Sequence, residues 1–200
     1  MYDIIVNDVN CRYVWKCEKN HIFNLYKQNI SKNHLEIGPG TGYFLKNYSF
    51  SNLTLMDVNE DTLSFSKNQL KAQSKKIQNF HHDIFKQKKY VKDIDSVGVN
   101  YVLHCVDGKL EDKLDRLAKN LITDRDVIIF GASIIQKEQE KNKITEAELY
   151  FLNQMNIFHN QYDYASNAIR YFEKNKIKYN YNVIGNVFLF SFFKKKTFNK

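Results

Sequence analysis

The stretch LEIGPGTGYF, from Leu35 to Phe44, holds the densest chemical content of the chain. Leu35 and Ile37 lead into Gly38, Pro39, Gly40, Thr41 and Gly42, and Tyr43, Phe44 and Leu45 follow. That order is a buried strand, a tight glycine turn and the first turn of a helix. Glycines in such a turn let the backbone approach a ligand closely, and a helix start offers N–H groups lacking partners of their own. Spacing narrows the ligand. A dinucleotide fingerprint needs a small residue where this chain has Tyr43, and no lysine follows as a phosphate-gripping loop requires. The acid Glu36 stands two residues before Gly38, and a second acid, Asp57, ends the apolar run Leu53–Met56 nineteen residues beyond it. A carboxylate in that place can accept hydrogen bonds from both vicinal hydroxyls of a ribose. Further on, His104 is a candidate general base, because an unperturbed imidazole titrates near neutrality.

These residues need a scaffold, and the periodicity supplies one. A helix is expected from about Glu18 to Gln28, with Ile22, Phe23, Tyr26 and Ile30 on one face. After the strand before Gly38 come a second strand ending at Asp57, a helix from Asn59 to about Ala72, and a third strand, Lys76 to His82. DSVGVN (95–100) is a fourth strand, Leu110, Leu114, Leu117 and Leu121 mark a helix, and DVIIFG (126–131) is an apolar fifth strand. Strands alternating with helices predict a parallel sheet covered on both faces. Such a sheet binds ligands at its strand carboxyl ends, which places Asn100 and Tyr101 at the site. The rhythm then breaks. Thr145–Glu148 is a capping box opening a helix with Leu149, Leu152 and Met155 inward, and a further helix runs from Tyr164 to Glu173. Alternation by twos from Ile177 to Val183 and from Phe188 to Phe192, around Gly185-Asn186, is a terminal β-hairpin.

Glu36-Ile37-Gly38-Pro39-Gly40-Thr41-Gly42 resembles the first motif of the class I S-adenosylmethionine-dependent methyltransferases, and later segments fall in that family's order over residues 11 to 193. YVWKC, HLEIGPGTGYFL and NYVLHCV are similar to phrases in a group of small bacterial and fungal members. The resemblance implies a Rossmann-like three-layer α/β sandwich with a seven-stranded, mostly parallel sheet and a C-terminal antiparallel hairpin. It implies cofactor contacts from Glu36, Gly38, Pro39, Gly40, Thr41, Gly42, Asp57, Val58, Asp83, Ile84, Asn100 and Tyr101, with Asp83 and Ile84 at the adenine. It also implies a single domain. In that domain residues 1–31 form a helical lid, 32–135 the cofactor-binding core, 136–162 a substrate-side insertion, and 163–200 the last helix and hairpin. Tyr13, Trp15 and His104 fall on the acceptor side, and His104 and Tyr13 are the candidates for catalysis. A histidine at the position of His104 also commonly packs in the turn into a helix.

The expected activity is methyl transfer from S-adenosylmethionine to a small molecule. Another transfer chemistry with the same cofactor, or methylation of RNA or protein, are the alternatives. Two hundred residues suit one domain. The net charge of +8 raises nucleic acid as a partner, but the lysines are scattered rather than striped, which disfavours a dedicated surface. Cys11, Cys17 and Cys105 are too few for a zinc site or a disulfide framework, and His81-His82 has no third ligand at a useful spacing, so no metal is expected. No apolar run approaches the ~20 residues that span a bilayer, and the N-terminus lacks signal-peptide character, so a cytoplasmic protein is expected.

Overall fold

The computed structural model describes residues 14–137 and 143–197. Tyr13 and Cys11 therefore lie outside the described residues. Helix α1 (Lys19–Asn29) precedes β1 (Asn33–Ile37), β2 (Asn52–Asp57), α2 (Glu60–Gln69), β3 (Ile77–His81), β4 (Lys89–Val91) and β5 (Ser96–Asn100). Then follow α3 (Leu110–Asn120), β6 (Leu121–Thr123), β7 (Val127–Ile134), α4 (Lys143–Gln154), α5 (Ala165–Lys174), β8 (Tyr179–Ile184) and β9 (Val187–Lys194). Seven strands form one sheet in the order β3-β2-β1-β5-β7-β9-β8. β1, β2, β3, β5 and β7 run parallel, whereas β9 pairs antiparallel with both β7 and β8. This is the Rossmann-like α/β sandwich with its terminal hairpin, and Gly185 (φ +58°) turns that hairpin.

The sequence divides its apolar residues between two faces. On one, Leu35, Ile37, Met56, Val97, Val99 and Ile129 pack against Leu110, Leu114 and Leu117 of α3 and Ala168 and Phe172 of α5. On the other, Leu53, Leu55, Phe130 and Ala132 meet Ile22 and Tyr26 of α1, Leu63 of α2 and Leu149 of α4. A central strand such as VIIFGASI (β7) is therefore apolar on both sides and buried along nearly its whole length.

Four local features differ from the expectation. The glycine turn leads not into an α-helix but into a single 3₁₀ turn, Tyr43–Leu45, because few residues remain before β2 begins at Asn52. Strands β4 and β6 form a separate two-stranded parallel sheet; three residues each, one led by a lysine, give no readable period. α4 starts at Lys143, so Thr145 is inside the helix, and its hydroxyl donates to the Val14 carbonyl (3.0 Å) instead of capping. Met155 lies just past the end of that helix and is exposed rather than inward.

Lys113 sits on the apolar face of α3 beside Leu110, Leu114 and Leu117, and is fully buried. Its ammonium donates to Asp163 Oδ2 (2.6 Å) and to the His159 carbonyl (2.9 Å). Asp163 is equally buried, and burial pushes its carboxyl up to about 6 despite the neighbouring cation. The pair fastens the segment after α4 onto α3. Removing one partner leaves an uncompensated charge in the interior, so Lys113→Ala should lose ~3–5 kcal/mol of unfolding free energy. The double variant Lys113→Met, Asp163→Leu should recover most of it, and urea denaturation of the three proteins measures both.

Candidate active site

β1 and β5 are neighbours, and the chain leaves them toward opposite edges of the sheet. A crevice opens at such a reversal, outside the strand carboxyl ends. Here it is a cleft of about 400 Å³. β1 contributes Ile37 and the loop residues Gly38 and Gly40, and β2 contributes Met56, Asp57 and Val58. The end of β3 brings His82, Asp83, Ile84 and Phe85, and the end of β5 brings Tyr101 and Val102. A groove of similar volume, about 420 Å³, runs between α1 and β8, but it lies at the sheet edge and no Asp, Glu, Lys or Arg lines it.

The loop's glycines serve two purposes. Gly38 (φ +66°) has Val102 so close that an added Cβ would lie 2.3 Å from its Cγ2. Gly40 (φ +53°) has no protein atom within 4 Å of that point, so its backbone is open to the cleft. At the facing strand end, Tyr101 takes φ +55°, a strained value for a bulky residue. Its N–H is fixed to the Ala132 carbonyl (2.7 Å).

Asp57 is half-buried at the end of β2, and burial raises its carboxyl above the usual range while the N–H groups of Asn59 and Val58 oppose the rise. Asn59 N–H donates to Asp57 Oδ1 at 2.9 Å. Asp83 Oδ1 accepts from the Phe85 N–H (3.0 Å), and Ile84 is buried beside it. Asn100 is buried at the end of β5, and its Oδ1 has no hydrogen-bond partner. Of the expected cofactor residues, Gly38, Gly40, Asp57, Val58, Asp83, Ile84 and Tyr101 therefore share the cleft wall, whereas Glu36, Pro39, Thr41, Gly42 and Asn100 do not line it. Thr62, Cys105 and Arg116 also line it; Thr62 on α2 and Arg116 on α3 lie outside any motif and carried no sequence signal, whereas Cys105, in the turn after β5, falls within NYVLHCV.

His104 lies in the 3₁₀ turn Leu103–Cys105 and is buried. Its ring packs against Phe158 (4.3 Å between centroids) and edge-on to Tyr101 (6.1 Å), and Phe158 in turn meets Trp15 (6.0 Å). Burial and the nearby Lys113 ammonium lower its pKa to about 3. Trp15 is buried in the core as well, with its carbonyl accepting from the Asn186 N–H (2.8 Å).

No family model matches this sequence. The chain is 31% identical over 198 residues to the YbcY protein of Escherichia coli strain K12, an alignment covering 94% of this chain and 99% of that one. Demethylluteothin O-methyltransferase of Streptomyces thioluteus is 28% identical over 176 residues, covering 82% of this chain and 73% of that enzyme. The chain belongs to the class I S-adenosylmethionine-dependent methyltransferases. The fold is also that of the N-methyltransferase NodS from Bradyrhizobium japonicum WM9 in complex with S-adenosyl-L-homocysteine, with a TM-score of 0.59 at 16% identity over 88% of this methyltransferase and 84% of NodS. Among the described residues no helix is long and apolar enough to cross a membrane.

A histidine held near pKa 3 stays neutral throughout the physiological range. The His104 ring resonances should therefore show no titration between about pH 5 and 8 in an NMR series, where an accessible imidazole titrates near 6.5. A midpoint in that window would show that the ring is hydrated.

Proposed function

We propose that the strand-end cleft binds S-adenosylmethionine and that the enzyme methylates a small-molecule acceptor. The observation that carries the reading is the convergence of Gly38, Gly40 and Asp57 on one cleft at the strand-order reversal. The residues present fit the cofactor. Gly40 offers backbone with open space before it, Asp57 offers a carboxylate for the ribose hydroxyls, and Asp83 with Ile84 suits the adenine.

The bound cofactor supplies a methyl group already activated on its sulfonium. The protein's part is to align the acceptor and exclude water, and alignment alone can supply much of the rate enhancement. The aromatic run Tyr101, His104, Phe158 and Trp15 leads from the cleft wall to the N-terminal segment. We assign the acceptor to that side, between the segments that carry Trp15 and Phe158. His104 acts there by packing, since a group of pKa about 3 is a poor proton acceptor at neutral pH. An acceptor that ionises readily, or a neutral amine or thiol, needs no dedicated base. One relative is named for O-methylation of demethylluteothin, which supports a small molecule as the acceptor.

Calorimetry with S-adenosylhomocysteine tests the reading. Binding is expected, and Asp57→Ala should weaken it by ~1.5–3 kcal/mol through loss of charged hydrogen bonds. Equal affinity for the variant and the wild type would remove Asp57 from the site. Affinity should also fall as acid pH protonates Asp57, beginning above the usual carboxylate range because burial has raised its pKa.

A further inference from the structure

Glu36 stands in the glycine motif yet does not line the cleft. Its carboxylate is buried on the opposite side, toward α1, and both oxygens are engaged. Tyr26 Oη donates to Oε1 (2.5 Å), and His34 Nε2 lies 2.8 Å from Oε2. His34 Nδ1 is 2.8 Å from Ser96 Oγ, which is 2.8 Å from Ser31 Oγ. The His34 ring is itself held between Phe50 and Phe130 (5.7 and 5.8 Å between centroids). Nothing larger than glycine fits opposite: a Cβ at Gly98 would lie 2.2 Å from Glu36 Oε2.

Two proton arrangements satisfy this chain. In one, the Ser31 hydroxyl donates to the Asn33 carbonyl (2.9 Å), Ser96 donates to Ser31 Oγ, and His34 Nδ1–H donates to Ser96 Oγ, which also accepts from the Ser31 N–H (2.9 Å). In the other, Ser31 donates to Ser96 Oγ, Ser96 donates to His34 Nδ1, and His34 Nε2–H donates to Glu36 Oε2, while the Asn33 carbonyl keeps the Asp95 N–H (2.9 Å). In both, Tyr26 is the donor to Glu36 Oε1.

We infer that Glu36 is a positioning residue: with Tyr26 and His34 it clamps α1 onto β1, fixing how the chain enters the Gly38–Gly42 loop, and does not touch the cofactor. The inference rests on the reading that the cleft holds S-adenosylmethionine. Its distinguishing feature is that glutamine can replace the acid without losing a bond. The amide N–H of Glu36→Gln donates to a neutral His34, and its carbonyl still accepts from Tyr26.

Calorimetry and thermal unfolding of the wild type and four variants test it. Glu36→Gln should fold and bind S-adenosylhomocysteine within about twofold of wild type, whereas a carboxylate in contact with the cofactor would lose about tenfold or more. Tyr26→Phe, which alters no cleft-lining atom, should weaken binding about threefold or more at temperatures where it is fully folded. A tenfold loss in Glu36→Gln, its failure to fold, or unchanged affinity in Tyr26→Phe would each overturn the inference. Without ligand, Tyr26→Phe should lower Tm by a few degrees in the wild type, and much less in a Glu36→Ala background. Equal drops in both would show that the two side chains are not coupled. Should Glu36→Ala not fold while Glu36→Gln does, the clamp is supported by that contrast. Absence of binding by the wild type would overturn the proposed function, while the unfolding cycle would still decide the clamp.

Discussion

Two parallel strands, β1 and β5, lie side by side, and the chain leaves them in opposite directions across the sheet. Helical crossovers return a chain to one face or the other, so no connection covers the gap between those two ends. The cleft exists because of that reversal. Gly38 and Tyr101, each the first residue beyond its strand, both take left-handed backbone conformations there. The strain at Tyr101 is tolerated because its N–H is locked into β7.

Buried polar groups hold the layers in register around this cleft. Apolar packing alone is non-directional and lets a helix slide or rotate, whereas a satisfied buried hydrogen bond permits one arrangement. Lys113 and Asp163 fix the segment after α4 to α3, and the same segment donates from His159 N–H to the His104 carbonyl (2.7 Å), beside the cleft wall. On the other face Tyr26, Glu36 and His34 fix α1 to β1. Each set joins a helix-borne group to the chain bordering a strand end, so the geometry of the cleft is tied to both outer layers.

How far the sequence disclosed this depended on range. The glycine loop, Asp57 and the alternation of strands and helices were legible because each is local: a few residues determine turn conformation, burial period or strand end. The terminal hairpin was legible for the same reason. Lys113 and Asp163 are fifty residues apart, and a lysine beside three leucines reads as solvated until the fold brings a carboxylate to it. Glu36 was readable as an acid at a motif position, but its direction depends on the rotation of α1, which places Tyr26 against it. His104 was visible as a possible base, whereas its burial against Phe158 depends on a segment more than fifty residues later. Thr145 matched a capping pattern, yet the helix began earlier and its hydroxyl was taken by the Val14 carbonyl.

The central claim is that the strand ends, and not the groove along α1 and β8, receive the cofactor. Amide chemical shifts followed during titration with S-adenosylhomocysteine test it most directly. The account predicts that the perturbed amides cluster at Gly38 and Gly40, Asp57 and Val58, Asp83 and Ile84, and Tyr101. Perturbations confined to Asn24, Gln28, Asn180 and Asn182, or none at saturating ligand, would contradict it.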